Sequence, residues 1–224
     1  MIRQVLVLLP GFLIGARAYD ALVAPMRQEG WTVVVPQLYP RSLATILGAH
    51  DVEQEAADAA ELVQSLVGTS RGTPAGVVLA GHSRGGQAAW RAANLLADHD
   101  VVDAVVLLDP VDGKGRAPSE RTATRTPASF RCPALVVGAG RDGRCAPAAV
   151  NHEAFAEATP AARHGVVPNL GHADILSGRA RKYGRWLCGG ADDPDDARAA
   201  VATLLAAFAR DRVVVDNPRV TLLR

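Results

Sequence analysis

Lysine is almost absent from this chain: Lys114 and Lys182 are its only two, so arginine supplies nearly all of the 24 basic residues. With 23 acidic residues against them the formal charge is +1, which leaves no basic field for a nucleic acid or another polyanion. Cysteine is sparse and odd in number, at Cys132, Cys145 and Cys188. That argues against a disulfide-built secreted scaffold, although one bridge with a spare thiol stays open. Aromatic residues make up only 4% of the chain. No apolar run reaches the ~20 residues that a membrane-spanning helix needs. There is no internal repeat and no linker dividing the chain.

What is present reads as globular. The 224 residues are 49% hydrophobic and 21% charged, which fits one domain spanning residues 1–224 with a substantial core. The arginine bias, with abundant alanine, reads as genome composition. Near the start, Arg3, "VLVLLPGFLIG" (5–15) and Ala16-Arg17-Ala18 imitate a secretory signal with a small-residue cleavage site. The positive region is minimal, however, and Pro10-Gly11 interrupts the apolar segment. The expected location is cytoplasmic.

Short apolar runs alternate with helical patterns along the whole chain. Strands are expected at Gln4–Leu9, Thr32–Val35, Gly76–Ala80, Val102–Leu108, Ala134–Gly138 and His164–Val167, with a tail strand at Val213–Val215. Their continuous apolar character is that of parallel strands covered on both faces. Helices are expected at Tyr19–Gln28, Val52–Val67, Gly86–Ala97, Ala148–Glu157 and Pro194–Arg210, the second opened by an approximate capping box of Asp51 and Gln54. Alternation of this kind implies right-handed crossovers and a mostly parallel, doubly wound α/β sheet flanked by helices on both faces. The irregular stretch 109–131 is long enough to cover a pocket or to be a surface loop. The acidic run 192–196 reads as the start of a helix, with Pro194 in its first turn, and not as a metal site.

One motif carries chemistry. "GVVLAGHSRGGQAAWRAANLLA" (76–97) places Gly81-His82-Ser83-Arg84-Gly85 between a strand and a helix. That G-x-S-x-G context turns the chain sharply and lifts a serine hydroxyl above the sheet. A serine needs a base to take its proton, and the chain order for this architecture is serine, acid, histidine. Of six histidines, His50 precedes the serine, His82 and His99 belong to the elbow and its helix, His152 starts a helix and His164 sits in a strand. His172, in "VVPNLGHADIL" after the last long strand, is the expected base. Two aspartates follow strands and both can serve as the acid: Asp109, ending "VVLLDP", and Asp142, following "ALVVGAGRDG". Asp174 is expected to shape its own loop. The oxyanion hole needs two backbone N–H groups, expected from Arg84 and from Phe12 in the loop after the first strand.

The chain resembles the chlorophyllases and their neighbouring α/β-hydrolase carboxylesterases. The resemblance rests on "GHSRGG" (81–86), "VVVPQLYP" (33–40), "LLDPVDG" (107–113), "CAPAAVNHEAF" (145–155) and "LGHADIL" (170–176), all in family order over roughly residues 4–210. It implies the α/β-hydrolase fold, with Ser83 as nucleophile, Asp109 as acid and His172 as base. Related cutinase-like esterases instead point to Asp142. The family usually opens its oxyanion loop with His-Gly, where this chain has Pro10-Gly11. The implied activity is hydrolysis of a small-molecule apolar ester through an acyl-enzyme, with no cofactor and no metal. A phytyl ester of a chlorophyll-like pigment is one such substrate, although a chlorin ring calls for more stacking surface than 4% aromatics suggests. A thioesterase or acyltransferase on the same fold is the alternative, and a non-catalytic ligand-binding protein on a hydrolase scaffold is the alternative of another class. Oligomeric state is not legible in the sequence.

Overall fold

A computed structural model describes residues 4–39, 51–68, 76–113, 119–141 and 143–224. Among these residues seven strands form one sheet in the order β2-β1-β3-β4-β5-β6-β7. They are β1 (Gln4–Leu9), β2 (Thr32–Val34), β3 (Gly76–His82), β4 (Ala104–Leu108), β5 (Ala134–Arg141), β6 (Arg163–Gly171) and β7 (Thr221–Leu222). The first six are mutually parallel, and β7 joins the β6 edge antiparallel. Among the described residues six α-helices accompany them: α1 (Asp20–Gln28), α2 (Val52–Gly68), α3 (Arg84–Leu95), α4 (His152–Ala158), α5 (Gly178–Cys188) and α6 (Pro194–Asp211).

The apolar runs of the strands divide by the two-residue period of an extended chain. Leu6, Leu8, Val78, Ala80, Val106 and Leu108 face α1 and α6, meeting Leu22, Met26, Val201, Leu205 and Phe208. Val5, Val7, Leu9, Val77, Leu79 and Val105 face the other way, onto α2, α3 and α4 through Ala56, Val63, Trp90 and Phe155. Burial on both faces is why these strands read as continuous apolar runs and not as an alternating pattern. The strand order runs in opposite directions on the two sides of β1. The crevice beyond the carboxyl ends of β1 and β3 is therefore the topological switch point, where sheets of this kind take ligands.

The sequence expectations meet three corrections. The tail strand is Thr221–Leu222, paired with Gly165 and Val166, and not Val213–Val215. Val214 and Val215 pack on the core without joining the ladder. The capping box does not form: Asp51 accepts from the Glu53 N–H, but the Gln54 side chain donates forward to Asp58. Helix α5 was not anticipated at all. Elsewhere the differences are shifts of element ends. Helix α4 starts at His152 because Asn151 caps it, accepting from the Glu153 N–H. The acidic run behaves as expected, with Asp193 accepting from the Asp196 N–H at the head of α6 and Pro194 in its first turn.

One disulfide, Cys145–Cys188, ties the turn after β5 to the end of α5 across 43 residues, and Cys132 is free. The segment after β4 is pinned by Asp112. Its buried carboxylate accepts from the Gly113 N–H, the Gln87 amide and the N–H or hydroxyl groups of Thr122, Ala123 and Thr124. These bonds hold the Asp112 carboxyl below its ordinary range against the upward push of burial.

Candidate active site

Four chain segments meet at the carboxyl end of the parallel strands: the loop after β1, the β3–α3 turn, the end of β4 and the end of β6. Ser83 stands at the β3–α3 turn with φ 57° and ψ −125°, a conformation that L-residues avoid. Holding it there costs about 1–3 kcal/mol, which the surrounding packing must supply. Gly81 and Gly85 make the turn possible, because a Cβ on the first would strike the Gly85 carbonyl and one on the second would strike the Leu9 and Pro10 carbonyls. The turn is fastened by the Ser83 carbonyl, which accepts from Gly86, Gln87 and Val111, and by the Ser83 N–H, which donates to Leu108.

The Ser83 hydroxyl lies 2.9 Å from His172 Nε2, and His172 Nδ1 lies 2.6 Å from Asp109 Oδ2. A carboxylate only accepts, so Nδ1 carries the proton and Nε2 is the bare nitrogen facing the serine. Asp109 is fully buried; its second oxygen accepts from the Ala139 N–H at 3.0 Å. Burial alone raises a carboxyl pKa, but here the bonds and charge attraction from His172 and the Ala139 N–H prevail and hold Asp109 below its ordinary range. The structure thus brings Ser83, His172 and Asp109 into one hydrogen-bonded line. Asp142 lies outside the described residues, as does His50. Asp174 shapes the His172 loop, accepting from Gly171 N–H, Ala191 N–H and the Arg185 guanidinium.

The loop carrying Phe12 presses against the serine: a Cβ on Gly11 would lie 3.3 Å from Ser83 Cβ. Arg84 begins α3, where the unpaired backbone N–H groups form the positive end of the helix dipole. Both expected oxyanion donors therefore belong to segments that flank the Ser83 hydroxyl.

The supports of that loop are residues the sequence reading did not single out. The Gly11 N–H donates to the Tyr19 hydroxyl (2.7 Å), which lies 2.8 Å from His82 Nδ1, and His82 Nε2 lies 3.0 Å from the His172 carbonyl. Burial, reinforced by neighbouring His172, pushes the His82 pKa down to about 3, so the ring is neutral. Its proton sits on Nε2, donating to the carbonyl, and Nδ1 accepts from the Tyr19 O–H. Desolvation likewise holds the Tyr19 phenol well above its usual range. One buried chain of hydrogen bonds therefore runs from the Phe12 loop to the backbone of His172. A second tyrosine, Tyr39, accepts from the Leu13 N–H and donates to the Gly11 carbonyl. Two tyrosines thus brace the Pro10-Gly11 loop. Only the x-His-Ser context of the elbow could have drawn attention to His82, and the tyrosines carry no local signal.

Arg84 has a layered setting of its own. Its guanidinium lies over the rings of Phe12 and Tyr39, 5.6 and 5.7 Å from their centroids, and donates to Glu55 from α2 at 3.0 Å. The Glu55 carboxyl is fully buried, and desolvation lifts it to about 7 despite the attraction of Arg84. Its other oxygen has no hydrogen-bond partner among the described residues. The recess lined by Leu96, Val101, Phe130, Cys132 and Arg212 lies at the opposite end of the strands and contains no part of this arrangement.

Comparison with known proteins agrees with this architecture. The chlorophyllase family model matches residues 3–222. Chlorophyllase-2 of Arabidopsis thaliana is 30% identical over 233 residues, covering 91% of this chain and 71% of that protein. The chloroplastic chlorophyllase-1 of Citrus unshiu is 28% identical, covering 93% and 68%. Among solved structures, an α/β-superfamily hydrolase of Xanthomonas campestris superposes with a TM-score of 0.56 at 24% identity, covering 92% of this chain and 99% of that one. Est1E of Butyrivibrio proteoclasticus, solved with ferulic acid bound, superposes with a TM-score of 0.61 at 14% identity, covering 83% and 87%. These structural likenesses carry the α/β-hydrolase fold, and the match of the family model over almost the whole chain carries more: the chain belongs to the chlorophyllase family.

Proposed function

We propose that this protein is a serine carboxylesterase that hydrolyses an apolar ester through an acyl-enzyme. The observation that carries the reading is the Ser83–His172–Asp109 line, set on a strained turn at the head of α3. In this reading His172 Nε2 takes the Ser83 proton as Oγ attacks the ester carbonyl, and Asp109 stabilises the imidazolium that results. The Phe12 and Arg84 N–H groups receive the charge that develops on the carbonyl oxygen. His172 then gives its proton to the departing alcohol. Water, deprotonated by His172, releases the acid from Ser83 and restores the starting state. None of these steps needs a cofactor or a metal.

Family membership and the names of the relatives support a chlorophyll-type phytyl ester as the substrate class. Half-buried Phe12, on the loop against the serine and with Arg84 over its ring, is the aromatic side chain there on which a flat acyl portion would rest. The test is a series of esters from short p-nitrophenyl esters to phytyl esters of chlorin acids. The reading expects turnover that rises toward the long apolar alcohols and vanishes in Ser83→Ala. Turnover that survives in Ser83→Ala, or no ester turnover at all, would overturn it.

A further inference from the structure

Helix α5, "GRARKYGRWLC" (178–188), points its large apolar side chains outward. Tyr183, Trp186 and Leu187 are 64%, 79% and 54% exposed, whereas Trp31 and Trp90 are buried. The inner stripe is made of small residues at four-residue spacing. Ala180 packs on the core, Gly184 sits against Ala173 beside His172, and Cys188 is bridged to Cys145. The helix is also fastened by Arg181 to Asp195 and Arg185 to Asp174, and its capping residue Ser177 donates to the Ala18 carbonyl next to Tyr19. A rigid helix on the rim of the candidate active site thus presents Arg179, Lys182, Tyr183, Trp186 and Leu187 as one stripe, at positions i, i+3, i+4, i+7 and i+8.

The charge borne by the helix itself has one sign, and the exposed Asp195 beside it is paired with Arg181 and Arg198. The helix carries Arg179, Arg181, Lys182 and Arg185 and no acidic residue. Arg181 and Arg185 are paired, whereas Arg179 and Lys182 are exposed and have no partner among the described residues. Exposed aromatics beside unpaired cations are the composition of a surface that lies in the headgroup region of an anionic bilayer. A two-fold pairing of two copies of the stripe would instead bury both cations with no carboxylate on the face to meet them.

We propose that the outer face of α5 docks the protein on an anionic lipid surface, with Trp186, Tyr183 and Leu187 entering the headgroup boundary and Arg179 and Lys182 meeting lipid phosphates. Docking itself is independent of the esterase reading; only its consequence, delivery of a bilayer-held ester to the rim beside His172, rests on that reading.

The experiment uses full-length Ser83→Ala protein, so that no turnover intervenes. Cosedimentation is measured with vesicles of mixed phosphatidylcholine and phosphatidylglycerol and with vesicles of phosphatidylcholine alone. Partition into the anionic vesicles is expected, with a blue shift of tryptophan emission that disappears in Trp186→Phe, the other two tryptophans being internal. Arg179→Gln with Lys182→Gln should weaken partition about thirtyfold at low salt, from about fivefold per basic residue. Trp186→Ala with Leu187→Ala should weaken it at least about tenfold. Arg131→Gln, an exposed cation at the other end of the strands, should leave it unchanged. Equal partition into both vesicle types, no partition, or self-association without lipid that Trp186→Ala abolishes would each overturn the proposal. With the wild-type serine, the α5 variants should turn over p-nitrophenyl acetate normally yet lose rate on a vesicle-embedded ester. Vesicle binding without any ester turnover would leave the docking intact and refute the esterase reading.

Discussion

Replacing Tyr19 by phenylalanine removes a single oxygen and interrupts the chain of hydrogen bonds from Gly11 through His82 to the His172 carbonyl. Two buried groups lose their partner at once, the Gly11 N–H and His82 Nδ1. The ring cannot answer by moving its proton, because Nε2–H is committed to the His172 carbonyl. It cannot answer by gaining one either, because its pKa is depressed to about 3. An orphaned buried polar group costs about 1–3 kcal/mol, so the pair should cost about 3 kcal/mol or somewhat more. For a chain of this length that corresponds to a fall in Tm of about 6–12 °C, readable by differential scanning calorimetry. The loop that carries Phe12 also loses one of its two tyrosine supports, so kcat on a soluble ester should drop about tenfold while KM changes little. A double-mutant cycle with His82→Leu should give a coupling of about 1 kcal/mol or more, since both side chains belong to one network. A Tyr19→Phe protein with Tm within about 2 °C of wild type and unchanged kcat would show that the Tyr19 hydroxyl does not hold this network together.

Three further outcomes follow from the same geometry. Asp109→Asn should lower kcat by about 10³–10⁴, because the amide leaves the histidine in the wrong tautomer, whereas Asp142→Asn should stay within severalfold; the reverse ranking on p-nitrophenyl butyrate would move the acid to Asp142. Glu55, raised from 4.5 to about 7 by burial, favours the protonated folded state. Its contribution to stability is full below about pH 4.5 and is lost as pH rises through about 7, amounting to about 3 kcal/mol. Glu55→Gln should therefore flatten the decline of Tm over that window, and an unchanged pH profile would count against the shift. Reducing the Cys145–Cys188 bridge reopens a 43-residue separation and should cost about 4 kcal/mol, seen as a Tm lowered by about 10 °C in dithiothreitol. A Cys188→Ala protein should show the same lowering without reductant.

The parts legible in the sequence are those whose cause is local. Gly81 and Gly85 around Ser83 announce a tight turn, and the apolar runs of β1, β3 and β4 announce strands buried on both faces. Chain order then singles out His172. Asp109 and Asp142 could not be separated that way, because each follows an apolar strand pattern in the sequence; what the structure adds is the 2.6 Å approach of Asp109 Oδ2 to His172 Nδ1. Tyr19 and Tyr39 were invisible for the same reason: the Tyr19–His82 bond spans 63 residues and the Tyr39 bond to Leu13 spans 26. Helix α5 escaped because its periodicity is inverted, with small residues inward and aromatics outward, and because Gly184 interrupts it. The tail strand was misplaced because Val213–Val215 has the stronger intrinsic strand preference. Pairing with β6 instead fell to Thr221 and Leu222, whose register matches Gly165 and Val166.

Ser83 is expected to form a covalent acyl-enzyme with His172 as its base. Intact-protein and peptide mass spectrometry after reaction with a fluorophosphonate probe tests it most directly. One adduct per chain is expected, located on Ser83, absent in Ser83→Ala and much slower to form in His172→Ala. A folded wild-type protein that takes no adduct, or one that takes it on a residue other than Ser83, would contradict it.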